Sequence, residues 1–164
     1  AFSGGKNLNG PQATGLVVGK RAIIDAVARN GYPNHSIGRP MKIGKENIIG
    51  CLAAVEWYLS LDHPARRSNW ERQVRLLQAT LAGLPGVTVE SLWPGEAGEA
   101  VPHALVKLDA GSARLDRDGL IAALRDGDPR VSVSAARQGI GVYPATLRPG
   151  EMEVVAKRIA ELLR

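Results

Sequence analysis

The sequence has little cysteine and few aromatic residues. Its one cysteine, Cys51, cannot close an internal disulfide and fits a reducing cytosol. Aromatic residues make up 4% of the chain, too few to interleave its basic segment with a stacking ladder, which argues against a nucleic-acid surface. No run of 18 apolar residues occurs, and no basic-then-apolar leader, so the sequence offers neither a spanning helix nor a signal peptide. The three histidines, His35, His63 and His103, fall in separate segments without a ligand partner at i+3 or i+4, so no metal site is expected. Walker, Rossmann and nucleophile-elbow patterns are missing too.

What is present suits a globular domain. The chain has 164 residues, 45% of them hydrophobic, enough for a real core and too apolar for disorder. Its net charge of +5 is unevenly spread. Residues 1–45 hold seven cations (Lys6, Lys20, Arg21, Arg29, Arg39, Lys42, Lys45) against one anion, Asp25, while the remainder carries 14 cations and 15 anions. Basicity concentrated in one segment suits a pocket for a small polyanion such as a phosphate or carboxylate.

The most informative stretch is residues 2–20. Gly4, Gly5, Gly10 and Pro11 surround Lys6, and the short apolar run Leu16-Val17-Val18 follows, closed by Gly19. That run reads as a buried strand. A lysine on such a turn is either a solvated loop residue or an amine held in a tight pocket, where desolvation and neighbouring cations ready it to form a Schiff base with a carbonyl. Gly4 and Gly5 remove bulk where a planar ring would approach the backbone, and Ser3 offers a hydroxyl to an anion, which favours the second reading.

Ser3-Gly4-Gly5-Lys6, then Gly10-Pro11-Gln12 and Gly15-Leu-Val-Val-Gly19, resembles the lysine segment of fold-type I pyridoxal-phosphate (PLP) enzymes. It is most similar to the selenocysteine-synthase-like group, which includes D-glucosaminate-6-phosphate ammonia-lyases. A second block, Gly38-Arg39-Pro40-Met41-Lys42-Ile43-Gly44-Lys45-Glu46, resembles the segment that follows the lysine strand there. The resemblance implies an α/β fold in which residues 1–62 are the end of a large PLP-binding domain, with the Schiff-base lysine loop and an interdomain helix. Residues 63–164 would be a small C-terminal domain, an antiparallel sheet covered by helices. It further implies that Lys6 forms the internal aldimine with PLP and moves the α-proton of an amino substrate. Ser3, and with it Asn7, would hydrogen-bond the cofactor phosphate, ordinary turn capping being the alternative. Arg39 and Lys42 would clamp a phosphate or carboxylate, a surface ion pair being the alternative. Gln12 reads as a structural amide or as an orienting group for the lysine loop. Complete family members are more than twice this length, so a chain opening on Ala1-Phe2 is expected to be a C-terminal fragment, inactive alone. The expected parent is a cytoplasmic homo-oligomer acting on an anionic amino acid or amino sugar acid as an ammonia-lyase. A selenium transferase acting on seryl-tRNA is the alternative within the fold, and a non-catalytic α/β interaction module the alternative outside it.

Periodicity supplies the remaining elements. Helices are expected at Lys20 to Asn30, at Lys45 to Leu61 and from Asp62 through Leu84; the second of these carries so wide an apolar stripe (Ile48, Leu52, Val55, Leu59) that it should be buried on most sides. The arginines of the third, Arg66, Arg67, Arg72 and Arg75, read as a solvated face. Strands are expected at Val87 to Leu92, Val101 to Leu108, Val131 to Ala135 and Gly139 to Tyr143. An acidic glycine loop occupies Pro94 to Glu99, and Asp116 caps a short helix. Pro149 opens a last helix whose Met152, Val155, Ile159 and Leu162 point inward. The resulting order, α-β-β-α-β-β-α, suits a mostly antiparallel sheet with helices on one face.

Overall fold

The computed structural model describes residues 1–95 and 101–164, so residues 96–99 of the acidic glycine loop lie outside the described residues. Two compact units divide the chain, Ala1–Leu61 and Asp62–Arg164.

In the second unit, the Asp62 side chain accepts from the Ala65 amide at 2.9 Å and starts helix α3 (His63–Leu81). Strands β3 (Val87–Leu92) and β4 (His103–Leu108) follow. Asp116, accepting from the Gly119 amide at 2.8 Å, starts α4 (Arg117–Asp126). Strands β5 (Ser134–Ala136) and β6 (Gly139–Val142) and helix α5 (Glu151–Leu163) complete the unit. The sheet runs β3-β4-β6-β5 and is antiparallel throughout, as the element order requires. Pairing Val89 with Val106, and Val106 with Ile140, lines up one apolar row across three strands, because alternate side chains share a face. On that row pack Val74, Leu77 and Leu81 of α3, Leu120 and Leu124 of α4, and Met152, Val155, Ile159 and Leu163 of α5.

Three expectations shift here. Strand β5 begins at Ser134, three residues late, because the Val131 amide instead donates to the Leu124 carbonyl at 2.9 Å and its side chain enters the core. Pro149 precedes the cap rather than opening α5: Gly150, at φ 87°, caps a helix that starts at Glu151. Leu163, not Leu162, is the buried residue at the end of that helix, since 3.6-residue periodicity carries the inward stripe from Ile159 to Leu163.

The first unit is built differently. A hairpin of β1 (Phe2–Ser3) and β2 (Gly15–Leu16) precedes α1 (Arg21–Asn30), a 3-10 turn at Arg39–Met41, and α2 (Lys45–Ser60). The buried strand expected over Leu16–Val18 is two residues long, and Val17 and Val18 are exposed; among the described residues β2 pairs with β1 alone, and β1 ends at Ser3. Helix α2 has the expected span but not the expected burial. Cys51 and Ala54 are its buried residues, whereas Ile48, Leu52 and Leu59 are exposed by 53%, 54% and 75%. The stripe is there, with no layer of its own unit over it. Among the described residues no helix is long and apolar enough to cross a membrane.

The stability of the second unit should rest on α5. Ile159 is fully buried, so Ile159→Ala removes apolar area and leaves a cavity, at an expected cost of about 2–5 kcal/mol. Urea melts at two protein concentrations tenfold apart check this. A cost below a quarter of that range would discard the core assignment, and a cost that changes with concentration would move α5 to a subunit interface.

Candidate functional site

The loop that carries Lys6 is closed by backbone and held by small residues. Where β1 ends, the Gly4 amide donates to the Thr14 carbonyl and the Gly10 amide to the Gly4 carbonyl, both at 2.8 Å. The Thr14 hydroxyl donates to the Pro11 carbonyl at 2.6 Å, so a buried polar side chain is satisfied within the loop itself. A Cβ on Gly4 would come within 1.9 Å of the Thr14 hydroxyl oxygen, and one on Gly5 within 2.6 Å of the Gln12 Cα. These two glycines therefore let the lysine strand lie against its own return segment, a requirement present whether or not a ring approaches. Gln12 packs over Gly5, in line with a structural amide. The return segment rests on α2, where Gly50 leaves room for the Pro11 ring.

On this frame Lys6 stands exposed, and its side chain makes no ion pair or hydrogen bond among the described residues. Ser3 is exposed at the end of β1, opposite Gly15. The turn at Lys6 is closed by the Asn9 amide donating to the Lys6 carbonyl at 2.8 Å, which leaves the amine clear of the turn's own hydrogen bonding.

Arg39 and Lys42 come together around the Tyr32 ring. The Arg39 guanidinium carbon lies 5.6 Å, and the Lys42 ammonium 6.0 Å, from the centre of the Tyr32 ring. Both distances suit attraction of a cation by an aromatic face. An aromatic residue among basic ones was the available signal. Arg39 also donates to the Pro33 carbonyl at 2.8 Å, which fixes its stem and leaves further guanidinium donors. With His35, Ser36 and Pro40, the two cations line an open recess of about 520 Å³. Lys6 does not line it.

The loop around this recess is ordered by asparagines. Asn34 donates to the Ala28 carbonyl at 3.0 Å, and the Ser36 hydroxyl donates to the Asn30 side-chain oxygen at 2.8 Å. The Gly38 amide donates to the Asn30 carbonyl at 2.8 Å. A Cβ on Gly38 would sit 2.5 Å from that same carbonyl oxygen, so the residue ahead of Arg39 must lack one. Cys51 is buried in α2, His63 lies at the start of α3, and His103 packs on β4 against Tyr143. Among the described residues no group of three or more His, Cys, Asp or Glu is placed to hold a metal ion.

These features can be set beside known proteins. No family profile matches the chain. A 5'-C-glycyluridine monooxygenase-decarboxylase from a Streptomyces species is 30% identical over 99% of this chain and 40% of its own length. An L-seryl-tRNA(Sec) selenium transferase of Moorella thermoacetica is 27% identical over 99% of this chain and 37% of its own. A D-glucosaminate-6-phosphate ammonia lyase of Salmonella typhimurium is 27% identical over 98% and 42%. A solved structure of a D-glucosaminate-6-phosphate ammonia-lyase matches the fold with a TM-score of 0.64, again at 27% identity over 98% of this chain and 42% of that one. The chain thus spans about two-fifths of the length of the curated relatives it matches.

The Gly38 contact makes the recess testable apart from any ligand. Gly38→Ala should force the loop off Asn30 at an overpacking cost of about 1–3 kcal/mol. The residue-38 amide should then exchange with solvent about tenfold to a hundredfold faster. Unchanged protection there would mean that the loop absorbs the methyl group and that Gly38 does not set the position of Arg39.

With the lysine hairpin, the cation-lined loop and the antiparallel α/β unit in place, the chain is similar over nearly its whole length to an ammonia lyase and a selenium transferase of the group that its Lys6 and Gly38–Glu46 segments resemble, and its fold matches that of the solved ammonia-lyase.

Proposed function

We propose that the chain is the C-terminal portion of a PLP-dependent lyase that eliminates ammonia, together with a β-leaving group, from an anionic amino acid or amino sugar acid. The observation that carries the proposal is the unengaged amine of Lys6, held on a hairpin closed at Gly4 and Thr14, in a chain related to enzymes of that family. A free primary amine on a fixed turn fits the covalent attachment of a carbonyl cofactor. In this reading residues 1–62 are the end of a large domain and residues 63–164 the small domain, and the rest of the cofactor cup comes from the part of the protein that the longer relatives possess.

When bound, PLP supplies the electron sink that lets a bond at the substrate's α-carbon break heterolytically. The chain's own residues would do the following. Lys6 Nζ takes the hydrogen from the α-carbon and returns a proton later, acting as base and then as acid. The Ser3 hydroxyl donates to a phosphate oxygen. Lys42 and the free donors of Arg39 hold the substrate's phosphate or carboxylate in the recess that they line with His35, Ser36 and Pro40. Loss of the α-hydrogen with a β-hydroxyl, followed by release of ammonia, completes an elimination that needs no oxidant. The relative named for action on seryl-tRNA carries the transferase alternative. Two of the seven cations of residues 1–45, Arg39 and Lys42, line a loop recess suited to a small anion, which favours the lyase side. The parent protein is read as a cytoplasmic homo-oligomer.

Two measurements on the full-length protein test this reading. After addition of PLP and reduction with borohydride, mass spectrometry should find the adduct on the peptide containing Lys6, and Lys6→Ala should lose it. An adduct on another lysine, or equal labelling of the variant, removes Lys6 from the role. For the anion clamp, Lys42→Ala should raise KM for an anionic substrate about tenfold, the size of one lost charge-assisted hydrogen bond, with Tm nearly unchanged. Arg39→Ala should raise KM and lower Tm together, since its guanidinium also ties down Pro33. A lowered Tm with unchanged KM in both variants would make the pair structural.

A further inference from the structure

The side of the four-stranded sheet that faces away from the buried Val106, Ile140 and Val142 carries a recess of about 330 Å³ that the reading above does not use. Alternation along β4 and β6 puts His103, Leu105 and Gly141 on this side, and the register sets Leu105 directly opposite Gly141. His103 is buried to 6% exposure and stacks on Tyr143, with ring centres 4.8 Å apart and an angle of 10°. The pair forms a flat wall. A Cβ on Gly141 would lie 3.0 Å from the Tyr143 ring, so the glycine lets that ring lie down on the sheet. Leu92, Leu105 and Ala136 supply apolar sides. At the rim stands Arg137, in the two-residue turn between β5 and β6; it is exposed and has no ion pair or hydrogen bond among the described residues.

A mostly apolar recess with one flat wall and one free guanidinium has the make-up of a small-molecule site. We infer that it binds a carboxylate borne on a planar or apolar body, the body lying along the His103–Tyr143 wall and the carboxylate meeting Arg137. A guanidinium pairs with a carboxylate through two parallel N–H bonds. Arg137 is the one permanent cation among the lining residues, which suits a singly charged carboxylate better than a phosphate dianion. The site depends on Arg137 and not on Lys6, so either assignment stands if the other fails.

Benzoate is the probe, titrated by calorimetry into the 164-residue chain. Saturable binding is expected with Kd on the order of 1 mM, the range open to so small a ligand. Arg137→Gln should weaken it about tenfold or more, Arg137→Lys should keep part of it, and neutral benzamide should bind far more weakly than benzoate. The inference is overturned by no saturable binding, by equal binding in Arg137→Gln, or by equal affinity for benzamide. Tighter binding of phenyl phosphate than of benzoate would overturn the carboxylate assignment.

Discussion

The close approach of Gly4 to Thr14 is the contact on which the first unit depends. It brings the strand before Lys6 and the segment after Pro11 within one hydrogen bond of each other, and any side chain at position 4 would meet the threonine hydroxyl first. That hydroxyl is already committed to the Pro11 carbonyl, so it cannot turn away without leaving a buried polar group unpaired, which costs more than the bond itself contributes. The lysine turn inherits its shape from this contact. So does the seat of Pro11 on α2. The turn is shaped by backbone and small residues, which leaves the Lys6 side chain uncommitted.

In the second unit the governing constraint is register. Once Val106 lies opposite Ile140, the two-residue period of a strand assigns every neighbour to a face, and a slip of one residue would turn the apolar row outward. The same assignment places Leu105, Gly141 and the His103–Tyr143 stack away from that row. One pairing decision thus builds the core on one side and the recess on the other, and the residues that line the recess were free to be chosen for something besides packing.

The second unit was readable in the sequence because its elements close on one another. Asp62 and Asp116 cap the helices they precede, β3 runs from Val87 to Leu92 as alternation predicts, and the inward residues Met152, Val155 and Ile159 follow a helical stripe into the core. The misses were local. A β-branched run at Val131 looks like a strand until its amide finds Leu124, and no periodicity reveals that bond. In the site, the basic residues were visible as a cluster in composition. The role of Tyr32 as the platform for Arg39 and Lys42 was not, because a cation over a ring depends on how the loop from Gly31 to Lys42 folds back, and that is set by Asn30, Asn34 and the missing Cβ of Gly38.

Helix α2 carries an apolar stripe that its own unit leaves in solvent. Its pattern states which residues gain from leaving water: Ile48, Leu52 and Leu59 each remove about 1.5–3 kcal/mol worth of apolar surface if fully buried. The pattern does not state what covers them. Period fixes a face on a helix, while burial is a property of two surfaces, and the second surface for α2 is not among the residues of its own unit. Cys51 and Ala54, the side chains that do find cover, lie on the side turned to the lysine hairpin, where Gly10 brings the loop backbone up to Ala54. The helix therefore meets the lysine loop through its small residues, while Ile48, Leu52 and Leu59 stay largely in solvent.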